Sequence, residues 1–539
     1  MLYDLTWLQE GQVFPPLIEQ PRIERYAQNE QLFNNDHFSS AVYRHRTGIN
    51  VNAIGAYDKC CQRIAKVVGN FSDVISFPVL LNYQRFLSLK MADLVCGEHP
   101  TITGATPEEN AKIKWIQDHT NFFEQLYSGV IDLSRYGDLP IRYYKDNDGY
   151  FNFCIWDAGG WYPIVTQDGT YRITKHCLCW LENKNPGNMK LPDWYLHVQI
   201  HDVENPGEYE QRTYHNGSNR FSIGSLVSTE THKTGLNTCA VFNIRAFAVS
   251  GTVYGYDDYV PIDSLLAEII VRVSQISTIL DKHADPAMTG PLSMLTQDPE
   301  TGEFRLERGK FFGINPEDTP PQYLVWDGQL EAAFKQLEFL INQLYILSEM
   351  GAALTGGVDG SGNVVSGNAM RFKMVNPLAK ARRVSNALTL PVRKIFSVIG
   401  SGLPDIDPES GEPGIGEDTK LPFAHIAVQW EDGLPDDPRE QIENCKLATG
   451  ESKMLPLEDG LMLYFKRSEA EATELAKRVR QQTLDAQREA LKIETEMQQQ
   501  ASDDPNKPGP QDGTGVNPQR KGGKTRSFQS ENNKSTGDK

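Results

Sequence analysis

Two short clusters in the middle of the chain carry histidine and cysteine, the residue types that bind zinc. The stretch HVQIH places His197 and His201 four residues apart, and KHCLCW places Cys177 and Cys179 two residues apart. A zinc-protease helix also needs a glutamate, which HVQIH lacks, and a tetrahedral site needs a second ligand pair. Because HVQIH alternates like a strand, we predict that its histidines share a solvated face with Gln199. The two cysteines are expected to be buried thiols.

Other catalytic patterns are weak or missing in the sequence. GGKT (522–525) ends like a phosphate-binding loop, but Pro518 stands where the first glycine would fall and no predicted strand precedes it. No GxSxG elbow and no dinucleotide-binding glycine pattern occur. We therefore predict no catalytic residue, no metal, no cofactor and no enzyme activity. One alternative stays open, a large cytoplasmic hydrolase with paired carboxylates, because sequence cannot show their separation.

Composition restricts the class of protein further. The chain has 539 residues, with 53 lysines and arginines against 71 aspartates and glutamates, which gives a net charge of -18. This length exceeds one ordinary domain, and the acidic balance argues against a protein that grips nucleic acid. Eight thinly spread cysteines favour free thiols in a reducing cytoplasm. We predict no signal peptide and no membrane span.

The period of the apolar residues changes along the chain. Up to about residue 130 they recur every three or four positions, which predicts helices. From about 135 to 255, alternation and Gly/Asp/Asn clusters predict antiparallel strands. Two long amphipathic helices follow, at 262–283 and after Asp327, which is a good N-cap residue. The stretch between them carries strand-like pieces, GEFRLE and PQYLVW.

The last third of the chain is again predicted to be helical. A glycine-rich stretch, LTGGVDGSGNVV (354–365), precedes a basic helical stretch at 366–396. Pro377 and Pro391 are expected to kink or break that helix. A strand at HIAVQW (425–430) and a helix running to about residue 500 follow, and the remainder has almost no apolar residues and should be disordered.

This order of elements resembles the portal proteins of tailed bacteriophages. The likeness covers about residues 60 to 500 and is carried by four stretches: FPVLLNYQRFLSLKMADLVCGEHPTI (77–102), FFEQLYSGVIDLSRYGDLPIRYYKD (122–146), WYPIV (161–165) and SGNAMRFKMVNPLAKARR (366–383). The last is similar to the S-G-x-A-[LM]-[KR] signature that follows the tunnel loop of those proteins. The two prolines and a long acidic loop at 403–419 depart from the family pattern.

The resemblance implies an α+β portal fold with an α/β wing, a two-helix stem, a small α/β clip, a helical crown and a disordered C-terminal tail. The corresponding ranges are 1–260 for an N-terminal arm and the first part of the wing, 261–283 for the first stem helix, 284–326 for the clip, 327–351 for the second stem helix, 352–365 for the tunnel loop, 366–435 for the second part of the wing, 436–500 for the crown and 501–539 for the tail.

The resemblance also implies a function. Portal proteins form a ring, here about twelve copies, around a channel through which double-stranded DNA is packaged and later ejected. The implied partners are the terminase large subunit, head-tail connector or adaptor proteins, the major capsid protein and a scaffolding protein. The implied location is the portal vertex of the virion, after assembly in the host cytoplasm. Another ring-forming head-tail connector is the alternative within the same class.

Three groups of residues are expected to act in such a ring. The tunnel-loop glycines allow many backbone conformations, and the neighbouring polar residues offer weak contacts that let DNA slide. The basic residues could contact DNA, but we favour ion pairs across a subunit boundary. The groups are Thr355, Gly356, Gly357, Asp359, Gly360, Ser361, Gly362 and Asn363 in the loop; Lys335, Arg371, Lys373, Lys380, Arg382 and Arg383 as basic residues; and Glu303, Arg305, Glu307, Arg308 and Lys310 in the clip.

Overall fold

The computed structural model describes most of the chain, in two compact units formed by residues 1–435 and 436–539. The described residues are 1–34, 81–187, 191–284, 288–289, 296–297, 304–305, 322–323, 330–351, 373–407, 410–414, 419–431, 438–450, 454–465 and 469–502. They form a mixture of helices and antiparallel sheets, so the predicted α+β class is confirmed.

Helices occupy the ends of the described chain, and strands occupy its middle. The helices are α1 (Gln20–Asn34), α2 (Tyr83–Cys96), α3 (Pro107–His119), α4 (Phe122–Tyr136), α5 (Asp263–Ala284), α6 (Leu330–Leu347), α7 (Val375–Ile399), α8 (Pro438–Thr449), α9 (Leu457–Phe465) and α10 (Glu469–Ser502). The strands are β1 (Thr101–Thr103), β2 (Asp138–Lys145), β3 (Phe151–Ile155), β4 (Trp161–Val165), β5 (Ile173–Asn183), β6 (Trp194–Asp202), β7 (Glu208–Gly217), β8 (Ser225–Lys233), β9 (Val241–Arg245), β10 (Met288–Thr289), β11 (Thr296–Gln297), β12 (Phe304–Arg305), β13 (Gln322–Tyr323) and β14 (Ala427–Gln429).

The largest sheet has five antiparallel strands in the order β4-β5-β6-β7-β8. One of its faces is apolar, and the N-terminal residues cover it. Trp7 and Phe14 are buried there against Tyr162, Leu196 and their neighbours. The first residues also join the sheet edge, because the Leu2 carbonyl accepts a hydrogen bond from the Val165 amide at 2.9 Å. The N-terminal arm is therefore part of the core of this sheet.

The opposite face of the same sheet is not solvated, which corrects the expectation for HVQIH. His201 and Gln199 are only 1% and 4% exposed, and His176 on β5 lies opposite His201. A three-stranded sheet, β3-β2-β9, lies near this face, and Val241 of β9 shares a buried cluster with residues of β4 and β5. The prediction failed because alternation reports which residues share a face, not what covers that face. The predicted burial of Cys177 and Cys179 is confirmed.

Gly137 allows the segment before α5 to approach the end of α4 closely. Gly137 ends α4 with φ of 79°, a conformation that favours glycine. A Cβ atom at this position would lie 2.6 Å from the carbonyl carbon of Tyr256. The segment before α5 is therefore held directly against the end of α4.

Helix α7 is continuous, so the expected break at its prolines is wrong. Pro377 lies in the first turn, where a missing N–H group costs little, whereas Pro391 lies inside the helix. Leu388, Val392 and Ile395 around Pro391 are buried in the main core. We attribute the continuity to this burial, which offsets the hydrogen bond that Pro391 cannot make.

Helices α5 and α6 pack on each other, and their side chains are buried to different extents. Leu266, Ile269 and Ile270 of α5 are fully buried, whereas Phe334 and Phe339 of α6 are at least half exposed. Between the helices, β10 pairs with β13 and β11 pairs with β12, both antiparallel. The glycine-rich stretch 354–365 lies outside the described residues. Of the predicted tail, 501–539, only Ala501 and Ser502 are described, and they end helix α10.

The described residues contain neither a helix that could span a membrane nor a cluster that could hold a metal ion. None of the described helices is both long enough and apolar enough to cross a membrane. In the same part of the chain, no group of three or more histidine, cysteine, aspartate or glutamate residues is arranged to hold a metal ion.

The buried histidines predict a loss of stability in acid. Burial lowers the pKa of both His176 and His201 to about 3. Between that pH and about 6.5, the unfolded chain binds protons that the folded chain does not, so stability falls as the pH falls through this window. One pKa unit corresponds to about 1.4 kcal/mol. We expect His201→Phe to lose less of its free energy of unfolding between pH 7 and pH 5 than the wild type.

Urea denaturation at pH 7, 6 and 5 measures this difference. Gln199→Leu is the matched control, because it changes a buried polar residue on the same strand without removing a titrating group. It should shift stability equally at every pH. Equal pH slopes for His201→Phe and the wild type would contradict the prediction.

Candidate functional site

The ends of several helices meet at one place in the first unit. We call it the helix junction. It is defined by Arg25 of α1, Ser134 of α4, Asp257 and Asp258 in the segment before α5, Asp263 at the first position of α5, Ser348 after α6, and Lys380 of α7. These residues come from distant parts of the sequence. They fix the long helices to the strand-containing part of the chain.

Arg25 holds the segment that leads into α5. Its Nη2 and Nε atoms donate to the two carboxylate oxygens of Asp257 at 2.8 and 3.1 Å, and its Nη1 donates to Asp263. Asp257 also accepts hydrogen bonds from the backbone amides of Tyr259 and Val260 at 2.9 and 3.0 Å. A planar guanidinium suits such a two-pronged contact. Arg25 thereby sets the direction in which α5 begins.

Asp258 and Lys380 connect four elements through one ion pair. Lys380 Nζ lies 2.7 Å from Asp258 Oδ1 and donates to the carbonyl of Ser348 at 3.1 Å. The other Asp258 oxygen accepts from the hydroxyl of Ser134 at 2.7 Å. Lys380 is mostly buried, so its charge has lost much of its hydration and depends on these partners. The pair ties α4, the start of α5, the end of α6 and α7 together.

A chain of hydroxyl groups continues from Asp258 into the core. Ser88 Oγ lies 2.9 Å from Ser134 Oγ and 2.8 Å from the hydroxyl of Tyr259, which is fully buried. Because Ser134 donates its one hydroxyl hydrogen to Asp258, Ser88 donates to Ser134. The hydroxyl group of Tyr259 has two acceptors within reach, Ser88 Oγ at 2.8 Å and the carbonyl of Gln84 at 3.3 Å. Each of these buried hydroxyl groups therefore has a partner.

A cavity of about 290 Å³ opens beside the junction. Its walls are mainly apolar and include Val130, Leu133 and Val384, together with Phe247 and Val260, which are about half exposed. The charged residues on its wall are paired within the chain. The pairs are Asp257 with Arg25, Asp258 with Lys380, and Glu349 with Arg383 at 2.5 Å. Each of these carboxylates is therefore engaged by a cation of the same chain.

Among the carboxylates of the helix junction, Asp263 has a shifted pKa. Burial raises the pKa of its carboxyl group to about 6, although the Arg25 guanidinium opposes the shift. Asp263 is also the first residue of α5, where the helix dipole favours a negative charge. Its ionised form is therefore kept at a cost in desolvation, next to the cation that organises the junction.

The structure places only some of the predicted site residues. The tunnel-loop residues Thr355, Gly356, Gly357, Asp359, Gly360, Ser361, Gly362 and Asn363 lie outside the described residues. So do Arg371 and the clip residues Glu303, Glu307, Arg308 and Lys310. Arg305 lies in the short strand β12.

The described basic residues differ in their surroundings. Lys380 lies in the interior of the protomer, at the junction. Lys335 is exposed on α6 and pairs with Glu331 one turn earlier, at 2.7 Å. Arg383 is exposed and pairs with Glu349, and Lys373 and Arg382 are exposed as well. The structure does not bring these residues together into one basic patch.

Sequence reasoning missed the residues that hold the junction. Arg25, Asp257, Asp258 and Asp263 were not singled out. One signal was present in the sequence, because two adjacent aspartates stand shortly before the start of a strongly periodic helix and a third lies in its first turn. Their partners, Arg25 and Lys380, carry no such signal.

Comparisons with known proteins point to one family. The sequence pattern of the family described as "Phage portal protein, SPP1 Gp6-like" matches residues 78–499. No curated protein matches the chain. Among solved structures, a chain from "Virion of native gene transfer agent (GTA) particle" is 10% identical and has a TM-score of 0.39, over 79% of this chain and 98% of that chain.

Removing the junction cation should destabilise the first unit. Lys380→Met leaves Asp258 without its cation in a partly buried site, which we expect to cost about 2–3 kcal/mol, below the value for a fully buried pair. Lys335→Met is the matched control, because its exposed pair on α6 contributes about 0.5 kcal/mol or less. Urea denaturation of both variants measures the difference. Equal midpoints would show that the buried pair adds nothing to stability.

Proposed function

The chain belongs to the phage portal protein family, SPP1 Gp6-like, and on that premise we propose that it forms the portal ring at one vertex of a bacteriophage capsid. The observation that carries this proposal is the family match across residues 78–499, which is most of the chain. Portal proteins are structural components, so the proposed role is not enzymatic. ATP hydrolysis would belong to a separate terminase.

Exposed apolar side chains support the proposal that copies of the chain pack side by side. On α6, Phe334, Phe339 and Ile346 are at least half exposed, and Leu280 near the end of α5 is similarly exposed. Large apolar side chains on one helix pair form a surface that water solvates poorly. Neighbouring copies in a closed ring would cover such surfaces. We propose about twelve copies, as the family resemblance implies.

Charge pairing supports the proposed channel for double-stranded DNA. Each lysine or arginine that holds a phosphate adds to a salt-dependent grip. Lys335, Lys380 and Arg383 are each paired with a carboxylate of the same chain, and the net charge is -18. Such a protein would surround DNA without holding it tightly. We propose that residues 352–365 form the tunnel loop of this channel.

The remaining parts are assigned by the same proposal. Residues 261–283 and 327–351 would form the stem, and 284–326 the clip that meets the terminase large subunit and later the head-tail connector or adaptor proteins. The wing would be formed by 1–260 and 366–435, and the crown by 436–500. Both would contact the major capsid protein and a scaffolding protein. The proposed location is the virion, after assembly in the host cytoplasm.

Imaging tests the proposed assembly directly. Native mass spectrometry and negative-stain electron microscopy of the purified chain should show a ring of about a dozen subunits with a central hole. The physical reason is that the apolar face of α6 needs a covering surface. A stable monomer under native conditions would sink the portal proposal, and an open or much smaller ring would favour another head-tail connector.

Deleting the proposed tunnel loop separates assembly from DNA handling. A chain lacking residues 355–364 should still form the ring, because the helix junction lies outside the deleted segment. It should package or retain less DNA in an in vivo complementation assay. Replacing the ten residues with a glycine-serine stretch of equal length is the control for loop closure. Loss of the ring on deletion would mean that the loop is placed wrongly.

A further inference from the structure

The last helix of the second unit is only partly covered by its own chain. Helix α10 packs against α9 through its first turns, where Ala472 and Ala476 are fully buried. Every side chain from Lys477 to Ile493 is exposed. About 25 Å of helix, at 1.5 Å per residue, is therefore left uncovered by the described residues of the second unit.

The exposed part of α10 carries two separate apolar stripes. Val479, Ala486 and Ile493 recur at intervals of seven residues and form the first stripe. Leu484 and Leu491 have the same interval and form the second stripe. At 3.6 residues per turn the two stripes lie about 150° apart around the helix. Leu484, Leu491 and Ile493 are each at least half exposed, so both stripes need a partner.

The rest of the chain beyond this helix is a poor cover for these stripes. Between residues 503 and 539, Val516 and Phe528 are the only large apolar residues, and the remainder is mostly polar, proline or glycine. Such a composition cannot bury two apolar stripes. The geometry favours a neighbour on each side of the helix.

From these observations we propose that α10 packs side by side with α10 of the next copy, first stripe against second stripe, in a closed ring of parallel helices. In a ring of about twelve helices, the two contact directions of each helix are about 150° apart. The spacing of the stripes fits this arrangement. The proposal deepens the proposed function, on which it rests for the ring itself, by naming the surface that neighbouring copies share.

Charge at the edges of the stripes fits the same arrangement. Glu489 lies one turn from both Ala486 and Ile493, at the edge of the first stripe. Arg488 lies one turn from both Leu484 and Leu491, at the edge of the second stripe. When parallel helices pack first stripe to second stripe, the two charges approach each other across the contact. Arg488 is only loosely engaged within its own helix, because its nearest oxygen on Asp485 is 3.7 Å away and both side chains are largely exposed.

A symmetric pair of helices explains less. Packing the first stripe against itself would leave Leu484 and Leu491 exposed. In a parallel pair it would also place the two Glu489 side chains on opposite sides of the contact, where neither meets Arg488 of the other copy. A side-by-side contact in which the first stripe of one copy packs on the second stripe of the next buries both stripes. Such contacts between unlike surfaces can close into rings.

Disulfide cross-linking of the full-length assembled protein distinguishes these arrangements. The double variant Leu484→Cys with Ala486→Cys places one cysteine on each stripe of the same helix. Under mild oxidation it should form a ladder of covalent oligomers that extends beyond the dimer. The two single variants and the wild type are the controls, and none of them should exceed the background of the native cysteines.

Charge reversal provides the second measurement. In the double-cysteine background, Arg488→Glu and Glu489→Arg should each lower the cross-linked fraction by about two- to fivefold. Combining the two reversals should restore it, because the opposite charges again face each other. Gln487→Glu, an exposed position on the other side of the same helix that is not one turn from Arg488 or Glu489, is the control for added charge and should leave the fraction unchanged.

The other outcomes overturn the proposal. Dimers from a single-cysteine variant, with no longer ladder from the double variant, would mean symmetric pairing. No cross-linking in a ring that microscopy shows to be intact would mean that another surface covers α10. That last result would leave the portal assignment standing, whereas absence of the ring itself would count against the proposed function.

Discussion

The structure depends on charges that have been taken out of water and must therefore be paired. Lys380 is mostly buried, and its partners are Asp258 and the carbonyl of Ser348. A buried charge that loses its partner is costly, so this one contact requires α7, the start of α5 and the end of α6 to be together. Arg25 of α1 likewise needs its partners Asp257 and Asp263, so α1 must lie next to the start of α5. The long helices are thus oriented by electrostatics as well as by apolar packing.

The described surfaces differ from the interior in that they expose large apolar side chains to water. Helix α6 exposes Phe339 and Ile346, and α10 exposes Leu484 and Leu491. In the first unit Lys335, Lys380 and Arg383 are paired with carboxylates, and the net charge of the chain is -18. Both features reduce electrostatic attraction for phosphate groups. A protein that has exposed apolar surfaces for contacts between copies and binds phosphate only weakly is suited to encircling DNA in a ring. This is the role that we propose.

Much of the architecture could be predicted from local patterns, and the failures share one cause. The two long helices and the antiparallel strands follow from their periods, which depend only on neighbouring residues. Pro391 was expected to kink or break α7, but the helix continues through it, and Val392 and its neighbours are buried. His201 was expected on a solvated face, but the face is covered. In both cases a distant part of the chain decided the outcome.

The sequence by itself determined the class, the order of the elements and the resemblance to portal proteins, because composition, period and local motifs are properties of short stretches. Only the tertiary structure decided that Asp258 faces Lys380, that Arg25 bridges two aspartates, and that the described part of the second unit leaves Lys477 to Ile493 of α10 exposed. A helical or strand period tells which residues share a face. What that face meets depends on segments far away in the chain, and no local pattern records it.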